Sequence, residues 1–300
     1  MKKYIVEHEF DGYEIGTYLK ETKGYSSRGL RNLEIYLNGK RIKNNAKKIK
    51  KLNRIVIIEK EKSTGIKAID IPIDIAYEDE NLLIVNKEPY IIVHPTQKKV
   101  DKTLANAIVN YFEKTLGKTL VPRFYNRLDM NTSGLIIIVK NAYTQAFLQD
   151  KTEVKKTYKV IASGIIEKDD FFIELPIGKV GDDLRRIELS EKDGGKSAKT
   201  HIKVLERNRE KNITFLEARL YTGRTHQIRA HLSLIGHPLV GDELYGGDMN
   251  LAKRQMLHAY KLEFQNPKTL ENLKIEIDIP IDMKEVLKWC CLSFEVVVKK

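Results

Sequence analysis

Three short polar groups in this chain hold residue types that could do chemistry. Arg127 and Asp129 sit two apart in the stretch NRLDMNTSGLIIIVK, residues 126–140. Lys156 and Tyr158 open the stretch KKTYKVIASG, residues 155–164. Arg224, His226, Gln227 and Arg229 crowd the stretch TGRTHQIRAH, residues 222–231. A fixed carboxylate can serve as nucleophile or base. A helix start that carries basic side chains is a ready site for anions. Taken singly, each group has a plain structural reading: Asp129 caps a turn, the arginines make surface ion pairs, and Tyr158 packs half-buried. Taken together, a lone carboxylate, arginines, a tyrosine and a basic surface suit cofactor-independent chemistry on a nucleic acid.

Other chemistries fit less well. His226, His231 and His237 are five and six residues apart, so a helix does not put their imidazoles on one face. There is no HExxH, no CxxC pair, no Walker loop, no dinucleotide-binding glycine pattern and no serine elbow. No metal and no cofactor are expected.

The elements that must position these residues follow from pattern. The apolar run 135–139 reads as a buried strand entered by a turn at Thr132, Ser133 and Gly134, so Asp129 should sit on a loop anchored by a core strand. Residues 82–85 and 91–93 read as two adjacent short strands. Thr103 should cap a helix with Leu104, Ile108, Phe112 and Leu116 on one face, closed by Gly117. Residues 142–149 read as another helix, and 157–164 and 213–221 as strands. The polar segment 178–197 reads as a mobile hairpin or loop. Thr222 begins a turn into a helix carrying Ile228, Leu232 and Ile235. Strands near Leu262 and Ile275 and a closing helix over 283–287 complete the chain. Many strands without a strand–helix–strand cadence predict an α+β fold on a mixed, largely antiparallel sheet.

Composition points to the partner. The 300 residues carry 53 Lys+Arg against 41 Asp+Glu, a formal net charge of +12. Eight of those charges belong to residues 1–62, and the run 40–54 holds eight basic residues and no acid. That excess favours a polyanion, with nucleic acid ahead of membrane. Asn38-Gly39 marks a tight hairpin turn before the run. Ser27 should cap a short helix carrying Arg28, Leu30, Arg31 and Leu33, and residues 55–58 read as a strand. A basic helix beside a basic hairpin would track phosphates. No finger or helix-turn-helix pattern argues for DNA. No stretch has the apolar length of a membrane span or a signal peptide, and adjacent Cys290 and Cys291 suit a reducing compartment, so a cytoplasmic monomer is expected.

At Ser27-Arg28, Asn38-Gly39-Lys40 and the strand from Arg54 to Ile58 the chain resembles the small alpha-L RNA-binding module. That resemblance assigns RNA contacts to Arg28, Arg31, Lys40, Arg41, Lys43 and Lys47. It divides the chain into a module at 1–60, a linker at 61–70 and a larger domain at 71–300. The ordered motifs LLIVNKEPYIIVHP, TLANAI, NRLDMNTSGLIIIVK, KKTYKVIASG, TGRTHQIRAH, GHPLVGDELYG and QMLHAYKL resemble the RNA pseudouridine synthases of the large-ribosomal-subunit type, over roughly residues 75–285. Asn126 stands where that family usually has histidine. The resemblance implies that fold, and uridine isomerisation in structured RNA, with large-subunit ribosomal RNA ahead of transfer RNA. It makes Asp129 the essential aspartate, Tyr158 the residue stacked on the target base and Arg229 the aspartate's ion-pair partner. Arg127 would fill the gap left by the flipped base and Ile228 would line the pocket; Lys156 and Arg224 are further substrate contacts. The competing reading is a non-catalytic RNA-binding or ribosome-assembly protein on the same fold.

Overall fold

A computed structural model describes residues 2–25, 27–30, 33–59, 65–95, 102–117 and 119–289. Arg31, the side chain of Arg28, part of the linker, Cys290, Cys291 and the remaining C-terminal residues lie outside what it describes.

The chain opens with β1 (Lys2–Ile5), α1 (Ile15–Glu21), α2 (Ser27–Leu30), β2 (Leu33–Leu37), β3 (Lys40–Ile42) and β4 (Arg54–Glu59). These strands form their own four-stranded sheet in the order β1-β4-β2-β3. It is closed by a separate core of Ile15, Tyr18, Leu19, Ile35, Ile49, Ile55 and Ile57. Asn38 and Gly39 have φ of 49° and 81°, and Leu37 pairs with Lys40. Both central residues are thus left-handed, as a two-residue hairpin requires. Ser27 and Arg28 are helical as expected, but Leu33 is not: it begins β2, where its alternation with Ile35 and Leu37 faces the core.

Then come β5 (Asp74–Glu78), β6 (Leu82–Lys87), α3 (Leu104–Leu116), β7 (Arg123–Phe124), β8 (Ser133–Val139), α4 (Ala142–Asp150) and β9 (Lys155–Ser163). The series continues with β10 (Asp170–Ile173), β11 (Ile177–Gly178), β12 (Ile187–Glu188), β13 (Thr200–Asn208), β14 (Ile213–Leu220) and α5 (Gln227–Leu234). It ends with β15 (Leu257–Gln265), β16 (Asn272–Glu276) and α6 (Ile281–Trp289). The large sheet runs β10-β13-β14-β9-β15-β8-β6-β5, with β16 beside β15 and β7 beside β8. Its pairings are antiparallel except β8 with β15. The fold is therefore α+β on a mixed, mostly antiparallel sheet.

β8 is buried along its whole length because it is covered on both faces. Leu135, Ile137 and Val139 pack with Phe147 and Leu148 of α4, while Ile136 and Ile138 pack with Leu104, Ile108 and Phe112 of α3. A strand buried on both faces reads as an unbroken apolar run rather than an alternation. The Thr103 cap is present as a reciprocal pair with Asn106, and Gly117 closes α3 at φ 61°.

Two expectations need correction. Ser133 and Gly134 belong to β8, not to a turn. Gly134 has φ +112°, and a Cβ there would stand 2.4 Å from the carbonyl oxygen of Ala259. That close approach is what lets β8 pair with β15. Residues 91–93 form no strand beyond a single bridge between Ile92 and Thr103. The segment 88–91 instead turns through Tyr90, at φ 66°, to bring the Glu88 and Ile91 carbonyls onto the ammonium of Lys87. The partner of β6 on that side is β5, whose alternation is too weak to stand out in the sequence. Within 178–197, β11 and β12 pair as a two-residue ladder, followed by a single 3-10 turn at Glu191–Asp193. Among the described residues no helix is long and apolar enough to cross a membrane.

Gly134→Ala should lower unfolding free energy by about 2–4 kcal/mol, because it adds both a clash and a disfavoured φ. Urea unfolding followed by circular dichroism measures this, and an unchanged midpoint would contradict the role given to the β8–β15 contact.

Candidate functional site

The loop between β7 and β8 is fixed residue by residue. Tyr125 donates its backbone N–H to the Ile137 carbonyl, the last rung of the β7 pairing. The chain then leaves the sheet, and the Asn126 side chain supplies the next rungs. Its Oδ1 accepts from the Ile137 N–H at 2.8 Å, and its Nδ2 donates to the Leu135 carbonyl at 3.2 Å. Beyond Asp129, Lys87 Nζ donates to the Met130 carbonyl at 2.9 Å, and Arg254 Nη1 to the Asn131 carbonyl at 3.1 Å. Gln255 reaches Thr132 at 3.3 Å, and the Thr132 N–H closes back on the Asp129 carbonyl at 3.1 Å. Both cations are almost wholly buried. Burial and the charge of Arg254 pull the Lys87 pKa down to about 7, while three carbonyl acceptors satisfy its N–H groups. Arg254 is held by a bidentate pair with Asp282 at 2.6 and 2.9 Å.

Asp129 emerges from this loop half-buried. Its Oδ2 accepts from Arg229 Nη1 at 2.9 Å, and among the described residues no donor reaches Oδ1. Arg229 is itself gripped from behind: its Nε and Nη2 donate to the two oxygens of Asp242 at 2.7 and 2.8 Å. Burial works against the Arg229 charge, but the bonds to Asp242 and Asp129 outweigh it and raise the pKa further. His226 Nε2 lies 3.7 Å from Asp129 Oδ2, too far for a hydrogen bond. The backbone of His226 is left-handed, φ 56°, at the start of α5. A residue with a Cβ holds that conformation only where its surroundings enforce it.

Gln227 pins the turn that leads into α5. Its Oε1 accepts from the Arg224 N–H and the Thr222 hydroxyl, and its Nε2 donates to the Lys199 carbonyl and Thr200 Oγ1. Across the cleft, Tyr158 on β9 is 5 % exposed and packs in the same cluster as Ile228. Burial, then the nearby Asp129 charge, raises its hydroxyl pKa above the ordinary tyrosine value. The Lys156 ammonium is 5.8 Å from the Tyr125 ring centroid, and burial lowers its pKa.

The structure thus brings seven sequence candidates, Arg127, Asp129, Lys156, Tyr158, Arg224, Ile228 and Arg229, to one cleft of about 490 Å³. Arg127 and Arg224 lie exposed at it; Tyr158, Ile228 and Arg229 are buried in its wall. Lys40 and Arg41 lie on β3 of the other sheet and Lys43 and Lys47 in the loop that follows it; all four are exposed, with Arg41 3.0 Å from Glu34. Among the described residues no group of three His, Cys, Asp or Glu side chains is placed to hold a metal. Sequence reasoning missed Asp242, Lys87, Arg254 and Tyr245. A lysine ending a wholly apolar strand was a signal for Lys87, since such residues stay buried only when paired. Asp242 and Tyr245 lie within the stretch GHPLVGDELYG but look there like loop residues.

A sequence model of the RNA pseudouridylate synthase family matches residues 81–234, which contain most of this cleft. An uncharacterized RNA pseudouridine synthase of Bacillus subtilis, YhcT, is 36 % identical over 91 % of this chain and 90 % of its own length. The ribosomal large subunit pseudouridine synthase D of Vibrio cholerae is 36 % identical over 73 % of this chain and 71 % of its own. Among solved structures, human RNA pseudouridylate synthase domain containing 1 superposes with a TM-score of 0.55 at 26 % identity, over 69 % of this chain and 83 % of that one. The chain belongs to the RNA pseudouridylate synthase family, and its reaction is the isomerisation of uridine in RNA.

Proposed function

We propose that Asp129 is the catalytic aspartate and that the cleft takes one flipped-out uridine of large-subunit ribosomal RNA. What supports this most is the Asp129–Arg229 pair: two residues one hundred positions apart meet at 2.9 Å beside a buried tyrosine. In the reaction the N1–C1′ bond breaks, the uracil turns, and a C5–C1′ bond forms. The proton on C5 leaves and N1 gains one, so atoms balance without redox change and no cofactor is required. Arg229 occupies Oδ2 and aims the carboxylate; Oδ1 faces the ribosyl carbon, either to attack it or to assist a glycal-type route. Tyr158 stacks on the uracil. Stacking returns roughly 1–3 kcal/mol, against the few kcal/mol that base flipping costs. Arg127 fills the gap in the RNA stack, Ile228 lines the base pocket, and Lys156 and Arg224 hold flanking phosphates.

Residues 1–60 form a separate RNA-binding module in this reading, joined by a linker over 61–70 to a catalytic domain at 71–300. All eight basic residues of the run 40–54 are exposed. They supply affinity that is independent of sequence and steep in salt. The ribosomal target rests on relatives named for the large ribosomal subunit, such as that of Vibrio cholerae. A monomer working in the cytoplasm completes the proposal.

Asp129→Asn should cut pseudouridine formation by more than about 10³-fold and leave RNA affinity unchanged. Carbodiimide-stop mapping of ribosomal and transfer RNA from cells with the wild-type or variant gene reads this directly. Loss confined to transfer RNA would overturn the ribosomal target, and retained modification would overturn the role of Asp129. Asp242→Ala leaves two buried N–H groups of Arg229 without acceptors and should cost about 2–4 kcal/mol of stability, with slowed modification in whatever protein remains folded; thermal unfolding and single-turnover assays test both. Replacing Lys40, Lys43 and Lys47 by Ala should weaken RNA binding and flatten the slope of log affinity against log salt by about 0.7–0.9 for each phosphate no longer neutralised. An unaltered slope would remove the module from RNA binding.

A further inference from the structure

Tyr245 lies in the loop after α5 and touches both side chains that face Asp129. Its ring centroid is 5.1 Å from the Arg229 guanidinium carbon. Its ring meets the His226 imidazole edge-on, with centroids 5.9 Å apart and planes at 83°. Its hydroxyl oxygen accepts from the backbone N–H of Arg186 at 2.7 Å, and the same oxygen is 3.3 Å from His226 Nδ1. Arg186 immediately precedes β12, in the hairpin 178–190.

This geometry selects a tautomer. A phenol has one hydrogen to give and two lone pairs to offer. Arg186 fills one lone pair. Among the described residues, His226 Nδ1 is the one acceptor within hydrogen-bond reach of that hydroxyl. With the phenol hydrogen given to Nδ1, the neutral imidazole carries its own hydrogen on Nε2, and this is the arrangement the proposal takes. Nε2 is the atom that faces Asp129 Oδ2 at 3.7 Å. Burial lowers the His226 pKa and so favours the neutral ring; Asp129 opposes this, Arg229 and Arg186 add to it, and Asp242 opposes it.

We propose that Tyr245 is a positioning residue for the isomerisation, whose hydroxyl holds His226 with its Nε2–H facing Asp129, so that the hairpin carrying Arg186 sets which form of the imidazole the carboxylate meets. This rests on the reading of Asp129 as the catalytic aspartate. Arg229 is a fixed cation on Oδ2. At 3.7 Å His226 makes no hydrogen bond to Asp129, but an Nε2–H turned toward Oδ2 places the positive end of its dipole beside the Arg229 pair. The wrong tautomer would aim a lone pair at Asp129 and repel it.

The test uses Tyr245→Phe in the full chain, which deletes the hydroxyl but keeps the ring against Arg229. Long-range proton–nitrogen NMR on histidine-labelled protein reads the tautomer directly. The wild type should show His226 protonated at Nε2 and bare at Nδ1, and the variant should lose that preference. A wild-type signal with the proton on Nδ1 overturns the proposal with no variant and no assay. In single-turnover reactions on a ribosomal RNA fragment, Tyr245→Phe should slow the chemical step about threefold to tenfold, as loss of one neutral hydrogen bond does, with RNA affinity unchanged. In a His226→Ala background the same change should have no further effect. Equal effects in both backgrounds, or an undiminished rate, overturn it. A wild-type enzyme that makes no pseudouridine in any RNA would instead refute the functional reading, and the NMR result would still judge the tautomer.

Discussion

A guanidinium removed from water must find acceptors for its N–H groups, and around Arg229 that demand organises the site. Asp242 takes two of the bonds and Asp129 a third. Removing either carboxylate leaves buried guanidinium N–H groups without an acceptor, and such defects are costly. The demand passes outward. Asp242 is placed by a tight loop in which Gly241, at φ 74°, lies against the Arg254 carbonyl so closely that a Cβ would stand 2.0 Å away. Arg254 in turn fastens the loop carrying Asp129 through Asn131. Asp129 is thus approached twice by one chain of contacts, once through its ion pair and once through its backbone.

Lys87 adds a second cation beneath the same loop, bound by carbonyl dipoles instead of carboxylates. Buried cations flank the carboxylate's backbone, while the face toward the cleft carries Tyr158, Ile228 and the exposed arginines. Preorganised charge of this kind needs no rearrangement when the reaction begins. Asn126 ties the loop to the sheet, its amide copying two rungs of a strand ladder.

The sequence made much of this legible, for physical reasons that differ between elements. The run 135–139 announced β8 because a doubly covered strand must be apolar throughout. Thr103 and Gly117 announced the ends of α3 because cap chemistry is local. Asp129, Tyr158 and Arg229 were legible through ordered motifs, not through anything their spacing alone could prove. β13 was missed because Thr200–Asn208 alternates with charged residues on an exposed face, and β1 and β5 because edge strands show little pattern. Asp242, Arg254 and Lys87 were missed for one shared reason. Their role comes from burial beside distant parts of the chain, and burial of a charge cannot be read from its neighbours in sequence.

The parallel pairing of β8 with β15 in the large sheet has a consequence for how the cleft is assembled. It joins two half-sheets: Asp129 is carried by the β6–β8 half, and Tyr158 with Arg229 by the half built on β9, β13 and β14. The hydrogen bond between Ser133 and His258 at the seam spans 125 residues. Contacts of such separation pay loop-closure entropy before they return any stability, and they form late. A nascent chain with one half folded would already own a carboxylate, or already own an arginine and a tyrosine, but never both. On the roles proposed for these residues, closure of the seam is what brings carboxylate, arginine and tyrosine into one cleft.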